Sequence, residues 1–172
     1  MDLKATIREI PDFPKKGIIF YDLTTLFKNP VAYQQSMAEL LEHYRGLDFN
    51  YIVGIEARGF IIGAPLAIAL NKGFIPIRKP GKLPAEIISA SYDLEYGSNS
   101  IEIHQDAIKP GDKILLVDDL LATGGTIKAA IDLIEGLGGE LVSIGFLLEL
   151  EFLNGRKDLE EYNIFSLLKE KG

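Results

Sequence analysis

The sequence predicts an α/β domain built on a parallel-rich central sheet flanked by helices. Three observations lead there. From residue 51 onward, short apolar runs alternate with helical stretches. One of these runs, KILLVDD (113–119), sets four consecutive apolar residues before two aspartates and leads through a glycine-rich turn into a further helical stretch. The length of 172 residues suits one domain, and a hydrophobic fraction of 47% suffices for a sizeable core.

The elements follow in order. Asp2 to Ile10 places apolar residues at Leu3, Ile7 and Ile10, the spacing of a short helix. PDFPKKG (11–17) ends it with two prolines and a glycine. Pro30 to Tyr44 reads as a helix, with proline in the first turn and Met37, Leu40, Leu41 and Tyr44 on one face. YIVGIE (51–56) is a short buried strand, GFIIGAPLAIAL (59–70) a largely apolar helix, and GFIPIRK (73–79) a second strand. KILLVDD is the third strand, Gly125 to Leu137 its helix, and ELVSIGFLLEL (140–150) the strand after that. Strands separated by helices imply right-handed crossovers and a parallel sheet covered on both faces. One segment breaks the rhythm: IISASYDLEYGSNSIEIH (87–104) alternates on both sides of Tyr96-Gly97-Ser98-Asn99, as an antiparallel hairpin does. Such an excursion serves as a lid over a site, as a dimerisation arm or as a plain surface hairpin.

Composition removes several classes of function. With no cysteine, a disulfide scaffold, a thiolate nucleophile and a cysteine-based zinc site are all excluded. His43 and His104 are the only imidazoles and stand apart in the sequence, as ordinary histidines do. A net charge of −7 argues against duplex DNA, whose affinity depends on phosphate neutralisation. It leaves room for a local basic pocket, and Arg78, Lys79 and Lys82 form either such a pocket or a solvated loop. The N-terminal MDLKATIREI lacks an apolar signal core, and the weakly polar run 59–70 is too short to span a bilayer. The expectation is a soluble cytoplasmic protein. A mean hydropathy of +0.13 is high for a small soluble chain, which either a subunit interface or a well-filled core would absorb.

The chemistry concentrates in ILLVDDLLATGGT (114–126). In an open parallel sheet ligands bind at the carboxyl ends of strands, where Asp118 and Asp119 lie. Ala122, Thr123, Gly124, Gly125 and Thr126 follow and open a helix. Small residues let backbone N–H groups approach an anion, the helix N-terminus adds unsatisfied donors, and threonine hydroxyls add more. The turn therefore suits a monophosphate. The aspartates would accept hydrogen bonds from sugar hydroxyls or hold Mg²⁺, directly or through water. Together the halves describe a sugar-phosphate site. A P-loop enzyme also ends an apolar strand in acids, but neither G-x-x-x-x-G-K-[ST] nor a strand-following G-x-G-x-x-G occurs. A solvated turn explains the two glycines but not two adjacent acids with two threonines.

LLVDDLLATGGT closely resembles the phosphoribosyl-pyrophosphate motif of the type I phosphoribosyltransferases, and its wording is most similar to the adenine-using members. The resemblance covers nearly the whole chain. PDFPKKGIIFYDLT looks like the N-terminal base-binding segment, IEARGF the pyrophosphate loop, RKPGKLP the basic loop after it, and SYDLEYG the flexible catalytic loop; LLELEFLNGR also matches. It implies one domain over 1–172, with a hood over about 1–30 and a flexible hairpin lid over about 87–104.

The resemblance also implies a reaction: transfer of 5-phosphoribosyl from phosphoribosyl pyrophosphate to adenine, giving AMP and pyrophosphate, with Mg²⁺ and in a homodimer. Ala57, Arg58 and Gly59, with Arg78, Lys79 and Lys82, would meet the diphosphate, in a loop the family often holds with a cis non-proline peptide. Asp118 and Asp119 would hold the ribose, and 122–126 its 5-phosphate. Ile18, Ile19, Phe20 and Tyr21 would line one side of the purine, with Leu150 opposite. Many members carry arginine where this chain has Tyr21. Relatives acting on 6-oxopurines usually carry an aspartate at the position of Ala122, which cannot accept a proton. The general base is then expected to be Glu95, with Tyr96 beside it; without the resemblance, Glu95 reads as a solvated loop carboxylate. The alternatives are a transferase for xanthine or another purine, and a regulator that senses phosphoribosyl pyrophosphate.

Overall fold

The computed structural model of the chain describes residues 1–94 and 97–172. The chain divides into two compact units, Met1–His43 and Tyr44–Gly172.

In the first unit a 3-10 turn, Lys4–Thr6, precedes strand β1 (Arg8–Pro11), which pairs antiparallel with β2 (Ile19–Asp22) in the register Arg8↔Asp22 and Pro11↔Ile19. The helix expected over 2–10 is therefore corrected to a turn and a strand. Leu3 is the one buried residue of the three that gave helical spacing, and pairing with β2 outweighs that local periodicity. Helix α1 (Thr24–Lys28) and helix α2 (Pro30–Tyr44) complete the unit. The Asn29 side-chain oxygen accepts from the backbone N–H of Val31 and Ala32 and so caps α2 at the turn where Pro30 has no N–H to offer.

Asp22 is the electrostatic fixture of this hairpin. Its carboxylate accepts from the Thr24 hydroxyl (2.6 Å), from Arg8 Nε (3.0 Å) and from the Thr24 N–H (2.9 Å). These bonds hold its pKa at about 2, against an ordinary 3.8. A carboxylate with a lowered folded-state pKa contributes stability above its unfolded pKa and loses it as pH falls through the folded value. Asp22→Asn is thus expected to be less stable than the parent at pH 7. Urea midpoints of the two proteins should converge as pH drops from about 4 towards about 2.

The second unit holds a five-stranded parallel sheet in the order β4-β3-β7-β8-β9. Its strands are β3 (Tyr51–Ile55), β4 (Gly73–Ile77), β7 (Lys113–Leu121), β8 (Glu140–Leu150) and β9 (Ile164–Glu170). Helix α3 (Arg58–Ala69) joins β3 to β4, and helix α4 (Gly125–Gly136) joins β7 to β8. Central β7 buries Ile114, Leu115, Leu116 and Val117 in succession, as a strand covered on both faces must. β9 was not expected: IFSLLKE has only a short apolar run before Lys169 and Glu170, as suits an edge strand.

The hairpin of β5 (Ile87–Asp93) and β6 (Ser98–His104) forms its own two-stranded sheet. Ile101 and Ile103 belong to the main core, with Ile88, Ala90 and Tyr92 packed against it. Its base is thus fixed in the unit, while Leu94, near the tip, is 49% exposed.

Candidate active site

Strand β7 carries its apolar run two residues past the acidic pair, to Leu121, so Asp118 and Asp119 lie within the last turn-ward stretch of a central strand. The chain then crosses Ala122 and Thr123 to Gly124, whose φ of +89° is left-handed and favours glycine. Gly124 is the N-cap of α4. The N–H groups of its first turn have no intrahelical acceptor and are available to an anion. A cavity of about 200 Å³ is lined by Asp118, Asp119, the 122–126 turn and Arg58.

Arg58 opens α3 just past the end of β3, the strand next to β7, and pairs with Asp119 at 2.7 Å (Nε to Oδ2). Gly59 makes the approach feasible: a Cβ there would stand 3.0 Å from Asp118 Oδ1 and 3.3 Å from the Val117 carbonyl. Asp119 is 4% exposed. Its N–H donates to Asp118 Oδ1 at 2.8 Å. Burial, and then the neighbouring Asp119 charge, push the Asp118 carboxyl well above the usual carboxylate range, with Arg58 opposing in part. The free site therefore contains an electrostatically unfavourable acid, an arrangement common where a ligand is to be bound.

The Ala57 segment holds a cis peptide between Glu56 and Ala57, the geometry expected from the resemblance. Ala57 is the N-cap of α3. Just before it, Glu56 accepts from the Lys79 backbone N–H at 2.8 Å and lies 3.4 Å from Arg78 Nε. Glu102 of β6, 8% exposed, bonds Arg78 through paired backbone groups and accepts from the Gly81 N–H at 2.9 Å. Two carboxylates thus fasten the basic loop, whose Lys79 and Lys82 are exposed. Neither Glu56 nor Glu102 stood out as a site residue in the sequence. The available signal for Glu102 was a lone acid between two isoleucines in an alternating strand.

The remaining residues are placed as follows. Ile19 (46% exposed) and the half-buried Phe20 and Tyr21 lie on β2 of the first unit, with Phe13 edge-on to Phe20 at 5.3 Å. Ile18 precedes that strand and is 39% exposed. Leu150 ends β8 of the second unit and is 6% exposed. Glu95 and Tyr96 lie outside the described residues.

Residues 24–170 match the family model described as the phosphoribosyl transferase domain. The chain is 68% identical over 170 residues to the adenine phosphoribosyltransferase of Halothermothrix orenii, covering 99% of this chain and 100% of that one. In three dimensions it is similar to the crystal structure of adenine phosphoribosyltransferase from Thermoanaerobacter pseudethanolicus, with a TM-score of 0.94, 55% identity and 98% of each chain covered. It is also similar to the Saccharomyces cerevisiae enzyme of that name, crystallised with D-2,5-dideoxy-2,5-imino-altritol 1,6-bisphosphate and adenine (TM-score 0.90, 43% identity, 97% of each chain covered).

Proposed function

The chain belongs to the phosphoribosyl transferase family, in its adenine phosphoribosyltransferase branch, and from that premise we propose how its residues divide the reaction. A ring nitrogen of adenine forms a bond to C1 of the donor ribose. The C1–O bond to diphosphate breaks, its electron pair leaving with pyrophosphate, and the acceptor's ring N–H proton goes to a base. The observation that carries the assignment is the single cavity shared by the Asp118–Asp119 pair, the Thr123–Thr126 turn and Arg58.

The turn's N–H groups and the hydroxyls of Thr123 and Thr126 hold the 5-phosphate. Asp118 and Asp119 accept from the ribose hydroxyls, and their charge favours the oxocarbenium-like ribose of the transition state. Arg58, with Ala57 and Gly59, receives the diphosphate. A guanidinium has five donors, so its contact with Asp119 leaves others for that anion. Arg78, Lys79 and Lys82 add positive charge along the loop that Glu56 and Glu102 fasten. By the resemblance Glu95 takes the proton, with Tyr96 beside it; Ala122 offers no acceptor where 6-oxopurine enzymes have one. Ile19, Phe20 and Tyr21 contact adenine.

Mg²⁺ fits this donor set. Two adjacent carboxylates supply hard oxygen ligands, and the described residues contain no group of three or more acids, histidines or cysteines that could hold a metal by themselves. Such an ion would take most of its oxygens from the diphosphate and water and would neutralise the departing charge. The assembly is a homodimer, supported by the apolar content and by the resemblance. The location is the cytoplasm, in keeping with the absence, among the described residues, of a helix long and apolar enough to cross a membrane.

The test is turnover with adenine, hypoxanthine, guanine and xanthine, each with phosphoribosyl pyrophosphate and Mg²⁺. Adenine should be preferred by roughly 100-fold or more in kcat/KM. Turnover confined to the 6-oxo bases would overturn the assignment.

A further inference from the structure

We infer that Arg156 is a positioning residue for the 5-phosphate turn, acting through the Gly155 peptide that braces it. The inference rests on the reading of 122–126 as the phosphate cradle.

The turn does not stand by itself. A Cβ on Gly124 would lie 2.5 Å from the Gly155 carbonyl oxygen, and a Cβ on Gly155 would lie 2.4 Å from that of Ala122. Two stretches of backbone therefore meet with no room for a methyl group on either side. The position of one fixes the position of the other, because displaced backbone in such a contact has nowhere to go. Gly155 sits in the connection between the 3-10 turn Glu151–Leu153 and β9, directly after Asn154, which has a φ of +52°. Connections of this kind are ordinarily the looser parts of a domain.

Here the connection is anchored one residue later. Arg156 grips Glu149 with two parallel bonds, Nε to Oε1 and Nη2 to Oε2, each 2.7 Å. The Ser166 hydroxyl of β9 donates to the same Oε2 at 2.6 Å. Glu149 is 4% exposed on β8 and is the ladder partner of Leu121, the residue before the turn begins. Burial alone would push the Glu149 carboxyl up. The Arg156 fork and the Ser166 hydroxyl more than offset it and hold the acid below its ordinary range, hence ionised. A planar guanidinium on a rigid, fully paired carboxylate has a defined direction, which an ammonium does not supply. The chain of contacts is continuous: Glu149 orients Arg156, Arg156 sets the Gly155 peptide, and that peptide backs Ala122 and Gly124.

The test uses three variants of the full-length enzyme, each with steady-state kinetics in both substrates and a thermal unfolding midpoint. Arg156→Lys keeps the charge and loses the fork. Gly155→Ala keeps the ion pair and presses a methyl onto the Ala122 carbonyl. Thr126→Ala removes a hydroxyl from the cradle itself. For Arg156→Lys and Gly155→Ala the KM for phosphoribosyl pyrophosphate should rise roughly tenfold, the scale of one well-aligned charge-assisted contact, with the KM for adenine within about twofold. A merely structural role would lower the unfolding midpoint without separating the two KM values. Either variant leaving the donor KM unchanged, or raising both KM values equally, overturns the inference. If Arg156→Lys does not fold, Gly155→Ala decides by the same reading. Thr126→Ala separates this failure from a failure of the cradle: an unchanged donor KM there removes the phosphate assignment itself, whereas a raised one beside two unaffected bracing variants removes only the role of Arg156.

Discussion

Asp118→Asn is expected to lower kcat/KM for phosphoribosyl pyrophosphate by on the order of 100-fold while leaving the free protein at least as stable as its parent. The two effects have one cause. In the free protein, burial and the Asp119 charge disfavour the ionised Asp118 carboxylate. An acid whose folded-state pKa is raised subtracts stability once the pH exceeds its unfolded pKa, so at pH 7 removing the charge relieves a strain on the fold. The fold keeps its internal bond, since an asparagine side-chain oxygen still accepts from the Asp119 N–H now 2.8 Å from Asp118 Oδ1. The substrate loses more: a charged acceptor for a ribose hydroxyl, a ligand near Mg²⁺, and negative charge facing the developing cation. Asp119→Asn should cost activity on a similar scale but should not stabilise, because it breaks the 2.7 Å ion pair with Arg58. Thermal midpoints and donor kinetics of the two variants distinguish these outcomes. A destabilised Asp118→Asn with normal donor kinetics would assign the acid to the fold and not to the site.

Glu95→Gln carries the second large effect: kcat should fall by roughly 10²–10⁴-fold, the usual contribution of a positioned general base, with the KM for adenine little changed. A base acts when ionised, so parent kcat should fall on the acid side of its profile. In the glutamine variant that limb should flatten, since the amide does not titrate. The argument is one of elimination joined to resemblance: the acceptor ring must lose a proton, and Ala122 cannot take it. The β5–β6 hairpin is held at its base by Ile101 and Ile103 in the core. Unchanged turnover would send the proton elsewhere.

Legibility in the sequence followed how local each interaction is. β3, β7 and β8 were readable because a strand buried on both faces must be apolar throughout, and nothing outside the strand is needed to see it. β1 was misread because its spacing was helical over a stretch too short to decide, and its partner β2 lies beyond two prolines and a glycine. β9 was missed because an edge strand need be apolar only in part. That Asp118, Asp119 and the 122–126 turn line one cavity was legible for the same reason as β7: acids, glycines and threonines are contiguous, so they gather locally. The parts that hold them are not. Arg58 meets Asp119 from the end of the neighbouring strand β3, Glu102 reaches the basic loop from the hairpin, and Glu149 meets Arg156 only because a 3-10 turn and a left-handed Asn154 bring the chain back. In a sequence these are isolated charges with no pattern between them.

The most direct test of the central claim is a crystal structure of this chain with AMP bound. The 5-phosphate should accept from backbone N–H groups between Thr123 and Thr126, with the ribose hydroxyls donating to Asp118 and Asp119. A nucleotide bound elsewhere, with that strand end and its turn vacant, would contradict the account.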